Sequence, residues 1–271
     1  MSAPVPPSPT AAATRIAKHL YQITHQHFFT SFDDWLALAV NAFLRDDTAY
    51  TKIMGKYGPR ESGQDHPADH FIHALGEWMR AMQQHPADYL GVVYEQEAVT
   101  NKYTGQFFTP EPITELMAAI TMPDELPDTA LVSDPACGSG RMLISGIKRN
   151  RFATFVGTDA DLTCVHMSAL NCLVRNANTY IIHGNSLSLE TWGGFYVRRS
   201  PFGGELHRLT KDDTDRLIRL PFTAPPETTT TALTPPTQAS VIPEPTLEAK
   251  TALDEVASFT TNKRGQGDFG F

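Results

Sequence analysis

The chain of 271 residues carries 22 Lys and Arg against 30 Asp and Glu, a formal net charge of −8, and 41% of its residues are apolar. That charge balance excludes indiscriminate nucleic-acid binding, which needs clustered cations, while the apolar share suffices for one globular unit with a small helical cap. No apolar run approaches the length of a membrane span, and three cysteines without close pairs fit a reducing cytoplasm rather than a disulfide framework.

Residues 1–13 form a Ser/Ala/Pro tail without the basic start and apolar core of a signal peptide, and are expected to be disordered. A helical region is expected over 14–100. Within it Phe32, Trp35, Leu36, Leu38, Ala39, Ala42 and Phe43 recur at helical spacing behind Ser31 as N-cap. Phe71, Ile72, Leu75, Trp78, Met79 and Met82 repeat the pattern, and Tyr57 to Gly63 breaks the chain between the two. His66, His70 and His73 have a spacing that suits a metal only if one helix face holds all three. Pro67 falls inside the set, so a solvated helix start is the simpler account and no metal is expected.

The next unit is expected over 101–220. Ala130, Leu131 and Val132 make a short apolar strand that breaks off at Ser133 and Asp134. Gly138 and Gly140 follow, leaving no Cβ in the way of a ligand, and Met142, Leu143, Ile144 and Ile147 resume at helical spacing. Strand, bare turn and helix describe a nucleotide-type pocket, although a lone Gly-x-Gly is also a tight turn of any α/β domain. Asp134 at the strand's end is placed to accept from an ammonium group, which the methionine moiety of S-adenosylmethionine carries and a pyrophosphate does not. Thr154 to Val156 is the next strand, and it ends in Gly157-Thr158-Asp159, with an acid about twenty residues past the glycines, as ribose recognition requires. Asp159 is the first candidate for the ribose hydroxyls and Asp161 the second; for either the alternative is an N-cap of the following helix. Tyr180 to Ile182 is a third strand running into His183-Gly184-Asn185-Ser186-Leu187, where Asn185 would meet the adenine edge. Three strands ending in polar or glycine residues on one sheet edge describe the carboxyl-end crevice of a doubly wound sheet.

Past Leu220 the pattern fades. Residues 221–271, rich in Pro, Thr, Ala and Glu and ending in Gly265-Gln266-Gly267-Asp268-Phe269-Gly270-Phe271, are expected to be a low-complexity linker and tail. Two groups of cations precede it: Arg141, Lys148, Arg149 and Arg151, then Arg198, Arg199, Arg208, Lys211, Arg216 and Arg219. Each is either a solvated face or a phosphate-binding one.

Taken together, Gly105-Gln106-Phe107-Phe108-Thr109-Pro110, the run from Asp134 to Leu143, the Gly157 to Asp159 turn and the His183 to Leu187 turn resemble adenine-specific N6 DNA methyltransferases. The likeness is greatest to the modification subunits of type I restriction systems, extends upstream to Asp88, and covers roughly residues 85–205. It implies an α/β, Rossmann-like S-adenosylmethionine-dependent methyltransferase core, here with a shortened sheet, behind an N-terminal helical region. It also implies DNA as substrate; no target-recognition domain is recognisable, so target recognition is expected from a specificity or other protein partner, and the cysteines and the lack of an apolar span point to the cytoplasm and away from membranes. By the same likeness Gln106, Phe107, Phe108, Thr109 and Pro110 contact the methionine end, Ser139 and Gly140 form the backbone cradle, and Asp159 takes the ribose.

One part of that family's pattern is missing. The catalytic Asn/Asp-Pro-Pro-Tyr/Phe motif is absent, because Pro-Pro occurs only at Pro6-Pro7, Pro225-Pro226 and Pro235-Pro236, after Val5, Ala224 and Thr234. The motif binds both N–H groups of the exocyclic amine through two acceptors and stacks an aromatic on the flipped base. Its nearest relic is Arg199-Ser200-Pro201-Phe202-Gly203, in which Phe202 is expected to stack but Arg199 only donates and Ser200 is a poor substitute for a carboxamide. Two functions are therefore expected as alternatives: an adenine-N6 DNA methyltransferase dependent on a partner, and a methyltransferase-derived module that binds cofactor or DNA without transfer.

Overall fold

Amphipathic repeats in the first hundred residues make helices, and short β-branched runs alternating with helical stretches make a layered sheet beyond them. The computed structural model describes residues 9–23, 27–100, 107–123, 127 and 130–219. Gln106 and the expected linker and tail at 221–271 lie outside the described residues.

The N-terminal part contains α1 (Pro9–Tyr21), α2 (Phe28–Leu44), α3 (Asp47–Met54), α4 (Pro67–Gln84) and α5 (Tyr89–Thr100). Helix α1 starts inside the segment expected to be a disordered tail, because Ala12 and Ala13 join Ile16, Ala17 and Leu20 in a buried stripe against α4 and α5. Ser31 does not cap α2. Phe28 is also buried, so the helix begins a turn earlier behind His27, and Ser31 lies in its interior. The three histidines have different partners: His66 caps α4 by accepting the Ala68 N–H at 3.1 Å, His70 meets Asp65 at 2.7 Å, and His73 stacks on His19 at 5.4 Å.

The C-terminal part contains α6 (Glu111–Thr121), β1 (Leu131–Asp134), α7 (Arg141–Arg149), β2 (Thr154–Asp159), α8 (Leu162–Leu173), β3 (Thr179–Asn185), β4 (Glu190–Arg198), β5 (Glu205–Leu209) and α9 (Lys211–Leu217). The sheet order is β1-β2-β3-β4-β5, the first three strands parallel and the last two antiparallel. The architecture is α/β with a Rossmann-like core, but the expectation of a doubly wound sheet needs correcting: the described order never reverses. Successive right-handed crossovers in one direction put α7 and α8 on the same face. There Phe155, Ile181, Phe195 and Val197 pack with Leu143, Ile147 and Leu170 and with the N-terminal helices in the main core. On the other face Val156, Tyr180, Ile182 and Leu209 form a smaller cluster with Leu217 and Ile218 at α9.

Two consequences position the site. All three parallel strands end at the glycine turn's side of the sheet, so Asp134, Asp159 and Asn185 share one edge. The β4–β5 hairpin runs away from it: Glu190 pairs with Asn185, Val197 with Thr179, and the hairpin turn lies at the opposite end. Among the described residues β1 has no strand on its outer side, where a groove of about 460 Å³ separates it from α6.

Candidate cofactor site

The turn between β1 and α7 is fixed by its own backbone. The Cys137 N–H donates to the Thr158 carbonyl at 3.0 Å and the Gly140 N–H to the Cys137 carbonyl at 2.8 Å, which docks the turn against the end of β2. Gly138 has φ 53° and Gly140 φ 88°, conformations that side-chain-bearing residues rarely adopt. A Cβ at Gly138 would also meet the Phe108 ring at 2.7 Å, so the segment at 107–110 lies directly on the bare turn.

The structure separates the roles of the two acids expected after the second strand. Asp161 caps α8, accepting the Thr163 N–H at 2.8 Å. Asp159 faces the glycine turn instead: one oxygen accepts the Gly138 N–H at 2.8 Å and the other the Asp161 N–H at 2.9 Å, leaving further lone pairs on a carboxylate of fixed orientation. Asp134 accepts the Ala136 N–H at 3.1 Å, and burial, with the nearby Asp159 charge adding to it, pushes its carboxyl above the usual range. Two carboxylates thus flank a turn of backbone N–H groups, and no described Lys, Arg or His forms an ion pair with Asp134. This is the electrostatic setting in which a cationic ligand replaces lost solvation.

The sign of that shift ties stability to pH. The folded protein holds the Asp134 proton to higher pH than the unfolded chain, so the group favours folding below its ordinary range and opposes it as pH rises through the raised value. Asp134→Asn is therefore expected to raise the thermal midpoint at pH 7 while weakening the S-adenosylmethionine binding expected at this turn. Melting curves and calorimetry on the same variant check both halves, and a lowered midpoint would mean that the ionised carboxylate is not strained.

Behind the turn lies a buried polar network that sequence reasoning missed. Asp88 accepts from four donors: the Gly91 N–H at 2.9 Å, Ser139 Oγ at 2.5 Å, Arg141 Nε at 2.7 Å and Asn171 Nδ2 at 2.8 Å. The Ser139 side chain thus points into the protein, and only its backbone is left for a cradle. Arg141 is the first residue of α7, where a cation opposes the helix dipole. Asp88 and Glu95 offset that cost, Glu95 accepting Arg141 Nη2 at 2.6 Å and the Phe108 N–H at 2.9 Å. Arg141 Nη1 also reaches the Phe108 and Thr109 carbonyls at 3.4 Å, tying the segment over the turn to the helix below it. Gly91 allows the close approach, since a Cβ there would meet Asp88 Oδ2 at 2.1 Å and Ser139 Oγ at 2.7 Å. The sequence carries a signal for it: Asp88 stands at a helix N-cap, and Glu95, seven residues on, falls on the same face.

The remaining site residues divide. Phe108 is buried on Gly138 and the neighbouring Phe107 is 79% exposed, with Thr109 and Pro110 exposed at the start of α6. Asn185 lies at the crevice, but its side-chain Oδ1 closes its own turn, accepting the Leu187 N–H at 2.9 Å and the Ser188 N–H at 3.3 Å. Phe202 lies away from the other candidate residues. It is 99% exposed at the hairpin turn, at the far end of the sheet, because the antiparallel run of β4 carries it a full strand length from Asn185. There Ser200 pairs twice with Asn176 beyond the C-terminal end of α8. The second group of cations is largely spent on neighbours: Arg198 on Glu205, Lys211 on Asp215, Arg208 on Asn41 and Asp46, and Arg199 over the Phe152 ring. Lys148 joins Glu111 and Glu115.

A model of the N-6 DNA Methylase family matches residues 85–228, which span α5, the glycine turn and all five described strands. The chain is 33% identical over 127 residues to the type I restriction enzyme MpnII methylase subunit of Mycoplasma pneumoniae (strain ATCC 29342 / M129 / Subtype 1). That match covers 43% of this chain and 22% of the relative, so the chain spans about a fifth of that protein's length. Among solved structures, a modification subunit of a putative type I restriction enzyme from Vibrio vulnificus YJ016 is similar at 13% identity with a TM-score of 0.37, over 70% of this chain and 58% of that one.

Proposed function

The chain belongs to the N-6 DNA methylase family, and on that premise we propose that it binds S-adenosylmethionine at the carboxyl ends of β1 to β3 and serves adenine-N6 modification of DNA. The observation that supports this most is the placement of Asp134 and Asp159 around a glycine turn that excludes side chains. Asp134 takes the ammonium group of the methionine moiety, the N–H groups at the start of α7 face its carboxylate, and Asp159 accepts from the ribose. Asn185 stands at the adenine edge, and Gln106, Phe107, Phe108, Thr109 and Pro110 close over the methionine end. When bound, the sulfonium supplies an electrophilic methyl group for in-line transfer to an amine nitrogen.

The acceptor half of the reaction comes from a partner. This chain has no Asn/Asp-Pro-Pro-Tyr/Phe sequence, and Phe202 lies at the wrong end of the sheet to stack on a base. A partner, in the cytoplasm where the cysteines stay reduced, provides the carbonyl acceptors and the target recognition. The same deficit favours a second reading, a module that holds the cofactor and regulates DNA modification without transferring methyl groups.

Titration calorimetry with S-adenosylmethionine, followed by tritiated methyl transfer to mixed-sequence DNA, tests the proposal. Binding without transfer by this chain alone is the expected result, with transfer appearing when a specificity subunit is added. The absence of binding would remove both readings.

A further inference from the structure

Nothing in the catalytic pattern of the family accounts for Trp192, yet it is the aromatic that the β4–β5 hairpin brings to the crevice. The β3–β4 register explains how. His183 pairs with Gly193 and Gly184 with Thr191, so Trp192 is the extra residue of a β-bulge, and Gly193 accommodates it with φ 133°. Bulges re-aim a side chain out of the regular alternation. Trp192 is 47% exposed, and its ring meets His183 edge to face at 4.7 Å between centroids. His183 is the register partner of Asp159 on the neighbouring strand, and its Nε2 lies 3.2 Å from the Ala160 carbonyl. Leu162, Leu187 and Leu189, at the same end of the sheet, are exposed too. These exposed apolar side chains lie at the end of the sheet that carries Asp159, where a bound ligand would cover them.

We propose that Trp192, held by the bulge and by His183, is the stacking wall for a purine ring, the adenine of the nucleoside whose ribose Asp159 binds. This rests on the cofactor reading above and adds to it a residue and a recognition mode. An indole face offers stacking that any purine satisfies, while Asp159 fixes where along the sheet edge the ring falls. Adenine reaches the crevice from two sources, the cofactor or the target strand, and the test separates them.

The protein's three tryptophans make the test optical as well as calorimetric. Trp35 and Trp78 are buried in the N-terminal helices, so collisional quenching by acrylamide reports on Trp192. S-adenosylmethionine is expected to protect Trp192 from acrylamide. Trp192→Ala should weaken S-adenosylmethionine binding by roughly ten- to a hundredfold with far-ultraviolet dichroism unchanged, and Trp192→Phe should retain most of the affinity. Calorimetric binding with neither protection nor a weaker Trp192→Ala variant overturns the wall and leaves the cofactor reading standing. Protection by an adenine-containing single-stranded oligonucleotide but not by S-adenosylmethionine overturns the assignment to the cofactor ring. No binding of S-adenosylmethionine to the wild-type protein overturns both.

Discussion

Asp88→Ala is expected to destabilise the protein by about 3–5 kcal/mol, the typical cost of breaking a buried charge pair from one side. Asp88 and Arg141 are both largely buried, and the carboxylate also holds Ser139, Asn171 and the Gly91 N–H. Removing it leaves a cation at a helix N-terminus with only Glu95 to balance it and strands three further donors. The effect should therefore be non-additive. Arg141→Met on the Asp88→Ala background is expected to restore part of the loss, since the uncompensated cation goes with it. Urea denaturation of the four proteins in the cycle measures this, and a loss for Asp88→Ala below about 1 kcal/mol, the scale of an exposed pair, would mean that water replaces the carboxylate.

On the proposed cofactor reading, Asp159→Ala is expected to lower S-adenosylmethionine affinity by about 1–3 kcal/mol, or roughly five- to 150-fold, because the ribose hydroxyls lose their acceptor. The structure adds a second reason for the effect. Asp159 also accepts the Gly138 N–H, so its removal loosens the glycine turn itself. Asp159→Asn keeps one acceptor oxygen and should fall between the two. Calorimetry on both variants decides the matter: affinity unchanged in Asp159→Ala takes the residue out of the site, whatever the turn does.

Much of the site is legible in the amino-acid sequence, and the reason is local. Strand, glycine turn and helix are set by residues adjacent in sequence: the apolar run at Leu131 and Val132, the absence of Cβ at Gly138 and Gly140, and the helical spacing beyond. The same holds for Asp159, which ends β2 and therefore falls at the same sheet edge as Asp134 once the strands are parallel. Where local chemistry allows two roles, as for Asp159 and Asp161, distances decide. Ser31 and the start of α1 are misread from sequence because cap and tail signals are weaker than the burial of one more apolar turn, which only the packing partners supply.

Phe202 illustrates the harder limit. A sequence orders residues but does not give strand direction. After a parallel β3, a fourth strand of either sense is compatible with the pattern, and the antiparallel choice sends Phe202 to the far end and keeps Trp192, at the bulge, beside His183. The Asp88–Arg141–Glu95 network is hidden for a related reason, since Arg141 lies 53 residues from Asp88 and 46 from Glu95, and the pairing exists only once α5 rests on the turn. The sequence by itself determined the turn and the acids that end the strands beside it, because backbone conformation and strand ends are set over a few residues. The tertiary structure alone decided which acid faces the turn, which cation is neutralised and which aromatic lies at the crevice, because those depend on strand direction and on contacts between distant segments.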